Sequence, residues 1–276
     1  SGLLPGYRDR DLLPYDTVMF CNTISNSKRE TFRQCRLKYK YNYVNRYEDT
    51  DPGNTGALQF GSFIHDVFEH STGATSIDQL WAKANDIKDK YKFPDKYNKD
   101  IEKCFKNFLR FNASLPKESI VEHHFAEEIA DGIKHEGYID RIIKAPTGDI
   151  LVVDYKTSRR EKSKFELFND SQGKSYVYAA HKLTGAPIRN ITFAHYYPLS
   201  NNLVAATYTE ATIRQHIKSV VDDVWTIRKC KSDDLYPQKN DFCNWCSYKS
   251  ICPLYNDPEV VKGRLDECKT RPRRKK

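Results

Sequence analysis

Two aspartates and a lysine occur in neighbouring segments that are predicted to pair as strands. Asp140 lies in the first segment, and Asp154 and Lys156 lie in the second, which is apolar at consecutive positions. An apolar run of this length indicates a strand covered on both faces. The turn between the segments centres on Thr147, and each aspartate is seven residues from it. An antiparallel hairpin in that register would place Asp140 opposite Asp154 on one face.

This arrangement predicts a metal site. Two adjacent carboxylates repel each other, and both ionise in a dry site only if a cation lies between them. Oxygen ligands favour Mg²⁺ or Mn²⁺. Lys156 returns to the face of Asp154, since side chains alternate along a strand. Two acids and a lysine suit metal-assisted phosphodiester hydrolysis. A buried ion pair of Asp154 with Lys156 or Arg141 is an open alternative, and a one-residue slip would separate the aspartates.

Three of the eight cysteines are grouped near the C-terminal end of the sequence. Cys243, Cys246 and Cys252 lie within ten residues. Thiolates so close together are typical of metal ligation, and from ligand type alone both zinc and an iron–sulfur cluster fit. The site needs a fourth ligand, for which Cys230 and Cys268 are nearby candidates. Disulfides are disfavoured by this metal-like spacing.

Helices are predicted in the first part of the chain and a mixture of helices and strands beyond Pro116. The helices run from Ser25 or Ser27 to about Val44, then at about 60–68, 77–91, 101–111, 172–183 and 211–228. The strands lie at about 120–129, 137–144, 150–157, 188–197 and 203–209. The fold class is therefore α/β: a mixed central sheet flanked by helices, with a helical N-terminal part and a small cysteine-rich C-terminal cap.

Positive charge is concentrated in two regions. The 276 residues carry a net charge of +8, and six of the last eight are basic, which predicts a solvated, mobile tail. Residues 28–46 contain seven Lys or Arg interleaved with aromatic rings. This composition suits a nucleic-acid groove, although a solvated helix face is equally compatible with it. The candidate DNA contacts are Arg29, Arg33, Arg36, Lys38 and Tyr39.

Several protein classes are excluded by composition. With 39% hydrophobic and 30% charged residues, the chain is polar but not disordered in character. No segment approaches the roughly 18 uninterrupted apolar residues of a membrane span, and no charged start leads into an apolar signal segment. We therefore expect no membrane association and an intracellular, cytoplasmic or nucleoid-associated location.

Four motifs in order resemble the PD-(D/E)XK nucleases, and specifically their RecB-like branch. They are Gly61-x-x-x-His65, Gly137-x-x-Asp140, Asp154-Tyr155-Lys156 and Gln172-x-x-x-Tyr176. The resemblance implies that His65 binds the metal with Asp140, Asp154 and the Tyr155 carbonyl. It also implies that Gln172 and Tyr176 help to position the metal site and the DNA, beside a catalytic Lys156. Asp154 stands where many relatives have glutamate.

The resemblance also bears on the cysteines. Iron–sulfur members of this branch, of the AddB and CRISPR-associated types, take one cysteine upstream of the nuclease motifs and three downstream. It therefore implies Cys35 as the fourth ligand, with a structural [4Fe–4S] cluster favoured over zinc. The four remaining cysteines would be ordinary thiols: Cys21, Cys104, Cys230 and Cys268.

The sequence thus predicts a Mg²⁺- or Mn²⁺-dependent deoxyribonuclease, an exonuclease on single-stranded or free DNA ends. The alternative is a non-catalytic, metal-stapled subunit of a larger nuclease or repair complex. DNA is the expected partner. We expect an N-terminal extension over residues 1–24, one nuclease domain over 25–255 with its core at about 117–210, and a basic tail over 256–276.

Overall fold

The computed structural model describes residues 21–51, 55–116 and 118–272. Contacts divide these residues into two compact units, each discontinuous in sequence. The first unit contains the described residues within 1–54, 128–135 and 219–276, and the second those within 55–127 and 136–218. Most of the predicted extension over 1–24 and the end of the predicted tail lie outside the described residues. The prediction of one domain over 25–255 stays a prediction.

Three helices form the first part of the second unit. They are α3 (Gly56–Glu69), α4 (Ile77–Ile87) and α5 (Asn98–Ala113). Each buries one apolar stripe, as the helical spacing predicts. Helix α4 begins with a capping box, in which the Ser76 side chain accepts from the Gln79 amide and the Gln79 side chain bonds back to the Ser76 backbone.

The strands form a mixed sheet. They are β2 (Ser119–Ala130), β3 (Ile133–Lys144), β4 (Ile150–Tyr155), β5 (Ile191–Tyr197) and β6 (Asn202–Thr207). Strand β2 pairs with β3, and the order continues β3-β4-β5-β6. The β3–β4 and β5–β6 pairs are antiparallel, whereas β4 and β5 are parallel. This confirms the predicted fold class of a mixed sheet flanked by helices.

The hairpin register is the one predicted from the turn. Arg141 pairs with Val153, and the pairing continues to Lys144 opposite Ile150. The ladder ends one step before Asp140 and Asp154, where the two strands separate at the site. A slipped register, which would have put the aspartates on opposite faces, is excluded.

The connection from β4 to β5 carries two helices. They are α6 (Lys164–Phe168), which the sequence analysis missed, and α7 (Ser171–Thr184). Helix α7 begins at Asp170, whose side chain accepts from the Gln172 amide, and ends at Gly185. The left-handed φ of +71° at Gly185 explains why glycine terminates this helix.

An aromatic core joins the helices of the second unit to its sheet. Phe68 stacks on Phe108 with ring centroids 4.0 Å apart, and Phe68 meets Tyr155 edge to face. On the next strand, Tyr196 stacks on Phe111. The side chain of Tyr155 is fully buried in this core, so the backbone beside Asp154 is held by packing.

The first unit contains shorter helices and irregular segments. Its elements are β1 (Thr23–Ile24), α1 (Asn26–Gln34), α2 (Arg36–Tyr39), a π-helical turn at Lys40–Val44, the C-terminal part of α8 (Glu210–Lys229) and α9 (Pro258–Asp266). The predicted helix from Ser25 to Val44 is therefore helical but interrupted: Cys35 has an extended backbone and caps the next turn.

The described part of the basic tail, residues 269–272, is exposed and makes backbone contacts with the first unit. Tyr47 forms a bridge with Thr270, and the Arg271 amide donates to the Arg46 carbonyl at 2.7 Å. The expectation of a solvated, mobile tail stays a prediction. In the described residues, no helix combines the length and apolar character needed to cross a membrane.

Candidate active site and candidate cysteine metal centre

Asp140 is held in place by backbone and by a histidine. The Tyr155 amide donates to Asp140 Oδ2 at 2.8 Å, and His65 Nδ1 on α3 lies 3.4 Å from the same oxygen. Burial would raise the pKa of Asp140, but His65 and the Tyr155 amide outweigh it and hold the pKa below its usual value. Burial likewise opposes charge on His65, yet Asp140 raises the pKa of this imidazole. The two groups therefore stabilise each other's charged forms.

Asp154 has the opposite electrostatic environment. Its side chain is 4% exposed, and burial, with the nearby charge of Asp140, raises its pKa to about 6. Lys156 Nζ lies 2.6 Å from Asp154 Oδ2 and opposes that shift. In return, Asp154 overcomes the burial of Lys156 and raises the pKa of the ammonium. The buried carboxylate thus still lacks full charge compensation.

The two residues of the Gln-x-x-x-Tyr motif reach the same site. Lys156 Nζ donates to Gln172 Oε1 at 3.4 Å, and Gln172 Nε2 donates to the Tyr176 hydroxyl at 2.9 Å. Burial strongly raises the pKa of Tyr176, and the charges of Asp154 and Asp140 add to the shift. The hydroxyl therefore stays protonated beside the carboxylates. One face of α7 thus supplies a hydrogen-bonded chain that ends at Lys156.

Two motif glycines permit the close packing that brings these elements together. A Cβ added at Gly61 would lie 3.0 Å from Thr157 Oγ1, so α3 can approach the end of β4 only with a glycine or a shifted threonine. A Cβ at Gly137 would lie 2.7 Å from the Phe125 ring. Gly61 precedes His65 by one helical turn and Gly137 precedes Asp140 on its strand, which gives both motifs a structural reason.

The alternative ion pair of Asp154 with Arg141 is excluded, and the pair with Lys156 is present. Arg141 is buried, and its Nη1 donates to Asn112 Oδ1 at 2.8 Å. Asp140 accepts the Tyr155 amide, which fixes it beside this ion pair. The ion pair of Asp154 and Lys156 therefore belongs to a larger cluster that also contains Asp140 and His65.

The donor set of this cluster fits a hard divalent cation, after one side-chain movement. Two carboxylates and an imidazole are ligands that Mg²⁺ or Mn²⁺ accepts. Among the described residues, however, the donor atoms of His65, Asp140 and Asp154 do not all lie within 4.8 Å of one another. His65 Nδ1 and Asp140 Oδ2 are 3.4 Å apart, and Lys156 lies 2.6 Å from Asp154 Oδ2, so the contact that must change to complete the set is the one between Asp154 and Lys156.

A second group of donors lies one turn further along α3. Asp66, Glu69 and His70 have donor atoms within 4.8 Å of one another, the only such group in the described parts of the chain. Asp66 already accepts from the Tyr91 hydroxyl at 2.9 Å, and His70 Nδ1 lies 3.1 Å from it. These residues and His65 line one open groove, which also reaches Lys156. Sequence analysis did not single out this group.

The four cysteines predicted as ligands line one cavity of the first unit. Cys35 lies at the break between α1 and α2, and Cys243, Cys246 and Cys252 lie on the loops before α9. Apolar side chains surround them, chiefly Leu37, Tyr41, Tyr248 and Ile251. All eight cysteines are free, so no disulfide closes this region. The structure thus brings together the distant positions of the chain that the resemblance implied.

The sulfur environment fits a metal–thiolate centre. The amides of Lys38 and Asn240 donate to Cys35 and Cys243 at 3.5 and 3.3 Å. The Tyr248 and Leu254 amides likewise bond to Cys246 and Cys252. Every one of the four sulfurs therefore accepts a backbone N–H, a bond that stabilises a ligating thiolate. Burial nevertheless raises the pKa of Cys246 and of Cys252, so thiolates there need a compensating cation.

The structure gives four cysteine ligands without choosing between metal types. Four cysteine ligands suit a tetrahedral zinc ion and an iron–sulfur cluster alike.

The predicted DNA-binding residues differ in exposure. Arg29 is 2% exposed and donates to Asp223 at 2.6 Å, and Tyr39 is also buried. Arg33 is 52% exposed and pairs with the same Asp223. The Arg36 guanidinium lies over the rings of Phe32 and Tyr236, and Lys38 Nζ donates to Gln34. Arg29 and Tyr39 therefore stabilise the unit instead of offering a surface to DNA.

Most of the chain matches a known protein family. The family model described as the PD-(D/E)XK nuclease superfamily matches residues 23–253. The chain is 27% identical over 171 residues to a subunit of an ATP-dependent helicase/deoxyribonuclease of Streptococcus agalactiae serotype Ia, covering 56% of this chain and 16% of that protein. The corresponding protein of Streptococcus mutans serotype c is 27% identical over 170 residues, with the same coverage. The chain thus spans about a sixth of the length of these relatives.

Among solved structures, the crystal structure of SSO0001 is similar over 85% of this chain and 87% of that one. The sequence identity is 19% and the TM-score 0.40, a likeness too weak to establish a shared arrangement of side chains.

Proposed function

Because the chain belongs to the PD-(D/E)XK nuclease superfamily, we propose that it is a divalent-metal-dependent deoxyribonuclease that degrades DNA from single-stranded or free ends. The observation that carries the proposal is the cluster of Asp140, Asp154, Lys156 and His65, in which the buried Asp154 has a pKa raised to about 6. DNA as the substrate is supported by the deoxyribonuclease relatives. The preference for free ends rests on the resemblance to the RecB-like branch.

His65, Asp140 and Asp154 would hold the cation, with the Tyr155 carbonyl as a further ligand. A bound divalent ion supplies Lewis acidity: it offsets charge on the phosphate and lowers the pKa of a water ligand. The residues of this chain supply position. The Tyr155 amide and His65 fix the Asp140 carboxylate, and the aromatic core fixes the strand on which Asp154 lies.

Lys156 would orient the attacking water or a phosphate oxygen. Its side chain is 33% exposed and lines the groove beside α3, so a substrate group can approach. Gln172 accepts from Lys156 and is itself bonded to Tyr176, which restricts where the ammonium can lie. Fixed charge aimed at the reacting phosphate stabilises the transition state without reorganisation.

For the cysteine centre we propose a structural [4Fe–4S] cluster bound by Cys35, Cys243, Cys246 and Cys252. The four amide-to-sulfur bonds support a thiolate centre, and the resemblance to the iron–sulfur members of the branch favours a cluster over zinc. Linking residue 35 to residue 243 closes a loop of about 208 residues, so the cross-link would restrict the unfolded chain strongly. Its role would be to hold the first unit together and not to transfer electrons. A colourless protein that contains zinc would contradict the cluster.

The cations of the first unit that lie at least partly at its surface would contact the DNA backbone. Arg33, Arg36 and Lys38 keep this proposed role, because each lies at least partly at the surface. Such contacts would supply affinity without sequence preference.

The experiment that tests the function is digestion of end-labelled single-stranded, double-stranded and circular DNA with Mg²⁺, Mn²⁺ or EDTA. We expect metal-dependent release of short products from linear substrates and none from circles. Digestion of circles would replace the exonuclease proposal with an endonuclease. DNA binding without cleavage under every metal condition would favour the non-catalytic subunit.

A further inference from the structure

His195 is a buried histidine beside Asp154 that has no role in the function proposed above. In the parallel pairing of β4 with β5, Asp154 and His195 are register partners. His195 Nε2 lies 3.6 Å from Asp154 Oδ2 and has no hydrogen-bond partner in the described structure. The ring has no exposed surface. A buried nitrogen without a partner is unfavourable, so its direction towards Asp154 indicates an interaction that another state of the site completes.

The contact at Nδ1 of His195 identifies which ring nitrogen carries the proton. The Lys162 amide donates to the Tyr197 hydroxyl at 2.9 Å, and this hydroxyl lies 3.2 Å from His195 Nδ1. Among the described residues, Nδ1 is the acceptor within reach of the hydroxyl proton. If Tyr197 donates to Nδ1, a neutral imidazole carries its hydrogen on Nε2. The donor then faces the Asp154 carboxylate.

Packing fixes the orientation of this ring. Phe193 and Tyr197 both meet it edge to face, with ring centroids 5.2 and 5.9 Å away. The ring therefore offers Asp154 one N–H donor in a fixed direction.

We propose that His195 is a positioning residue of the nuclease site, whose Nε2–H donates to Asp154 Oδ2 when Lys156 turns to the substrate. The inference rests on the proposed function, in which Asp154 is a metal ligand. At 3.6 Å the contact is longer than a hydrogen bond, and Oδ2 lies instead 2.6 Å from Lys156. Hydrogen bonds of this kind often tighten only in the working complex.

The consequence concerns the second oxygen of Asp154. A carboxylate held at Oδ2 by His195 keeps its other oxygen free for the cation shared with Asp140. Lys156 can then leave Asp154 without releasing the carboxylate to rotate. Outer partners of this kind typically change metal affinity by about 10- to 100-fold when they are removed.

Metal affinity of matched variants tests the proposal directly. His195→Phe keeps a ring but removes the donor, His195→Gln keeps an N–H donor, and Tyr197→Phe removes the group that orients the imidazole. Tyr208→Phe is the control, because its buried hydroxyl donates to the Leu167 carbonyl instead. Isothermal titration with Mn²⁺ should show affinity weakened about 10- to 100-fold in His195→Phe. His195→Gln should recover part of the loss, Tyr197→Phe should lose less, and the control should match wild type.

Two outcomes separate this inference from the function on which it rests. If Asp154→Ala binds Mn²⁺ as wild type does, the metal site itself is wrong, and the positioning role with it. If Asp154→Ala loses Mn²⁺ but His195→Phe binds as well as the Tyr208→Phe control, only the positioning role is overturned. Circular dichroism of each variant establishes that it is folded.

A spectroscopic measurement on the wild-type protein needs no variant to fold. Long-range ¹⁵N–¹H correlation spectra of histidine-labelled protein report which ring nitrogen carries hydrogen. The proposal requires the Nε2–H tautomer for His195, with its resonance assigned by the His195→Gln spectrum. An Nδ1–H tautomer would overturn the proposal whatever the metal titration shows.

Discussion

The active-site cluster and the cysteine centre each bring together side chains whose charged forms are unfavourable when buried, but the chain holds the two sets in different ways. Asp140 and Asp154 lie 14 residues apart on paired strands, and an amide and an aromatic core fix them. Cys35 and Cys243 lie 208 residues apart on a helix break and a short turn. The strand scaffold is held by sheet pairing and core packing, whereas the cysteine segments are held mainly by short local turns, such as Cys246 to Cys243 and Cys252 to Lys249. The first region should therefore lose activity before stability, and the second stability before activity.

The largest effect should follow from removing the Asp154 carboxylate. Asp154→Ala should reduce Mg²⁺-dependent cleavage about 10³-fold or more, because a bound metal contributes several kcal/mol to the transition state. Thermal unfolding should change little, since the removed charge is one that burial destabilises. Cleavage of end-labelled DNA and circular dichroism measure the two effects.

Asp149→Ala is the control, because this exposed carboxylate lies in the turn of the same hairpin. It should retain full activity. Undiminished cleavage by Asp154→Ala, or equal losses in both variants, would contradict the assignment.

The next largest effect should follow from removing a cysteine ligand. Cys246→Ser should lower the free energy of unfolding by about 3 kcal/mol, by analogy with the loss of a covalent cross-link. Iron and acid-labile sulfide should disappear from the purified protein. Cys268→Ser is the control: it packs near the same apolar cluster but does not line the cavity.

The proposed contrast between the two regions would be contradicted if Cys246→Ser kept full stability while Asp154→Ala unfolded. The assignment of the cysteine ligands would be contradicted if Cys268→Ser lost as much metal as Cys246→Ser.

A smaller effect should distinguish the two regions by pH. Burial lowers the pKa of His135, in the first unit, to about 4. In the unfolded state the His135 imidazole binds a proton near pH 6.5, whereas in the folded state it stays neutral until a much lower pH. The free energy of unfolding therefore decreases as the pH falls. Between pH 7.5 and 5.5 the cost is about 1 kcal/mol. The raised pKa of Asp154 has the opposite sign, so acid relieves the destabilisation at that site.

Urea unfolding of wild type and His135→Gln at the two pH values measures this difference. The difference in the free energy of unfolding between wild type and His135→Gln should narrow or change sign towards pH 5.5, in favour of the variant. A difference that does not depend on pH would mean that His135 does not titrate as its burial requires.

The smallest effects should come from the half-buried cations Arg36 and Lys38 of the first unit. Arg36→Ala and Lys38→Ala should each weaken binding of single-stranded DNA by about 2- to 5-fold and reduce the salt slope by about one. Lys106→Ala on α5 is the control, since this exposed lysine pairs with Glu102. Fluorescence anisotropy at several salt concentrations measures the slope, and equal effects of all three variants would remove the assignment.

Local pattern predicted the active site well because its geometry depends on short-range rules. The distance of each aspartate from Thr147 predicted the register, and a strand period of two placed Lys156 beside Asp154. Residue type could not show that Arg29 and Tyr39 are buried, because the acid that pairs with Arg29 lies 194 residues away. The break at Cys35 was missed for a similar reason: segments distant in sequence pack against it.

His195 is an example of a contact that the sequence pattern could not predict. Its strand was predicted, but its neighbour Asp154 follows only from the parallel pairing of β4 with β5. Alternation along one strand does not fix the register with a strand about 40 residues away. The Asp66, Glu69 and His70 group lies on one predicted helix, and its i, i+3 and i+4 spacing was the signal available in the sequence.

The central claim is that His65, Asp140 and Asp154 jointly hold one hard divalent ion. Crystals soaked in Mn²⁺ and measured at a wavelength with manganese anomalous signal would locate that ion. The account predicts a peak about 2.1 Å from both carboxylates, with the contact between Asp154 and Lys156 broken. A peak confined to Asp66, Glu69 and His70, with none between the two aspartates, would contradict it.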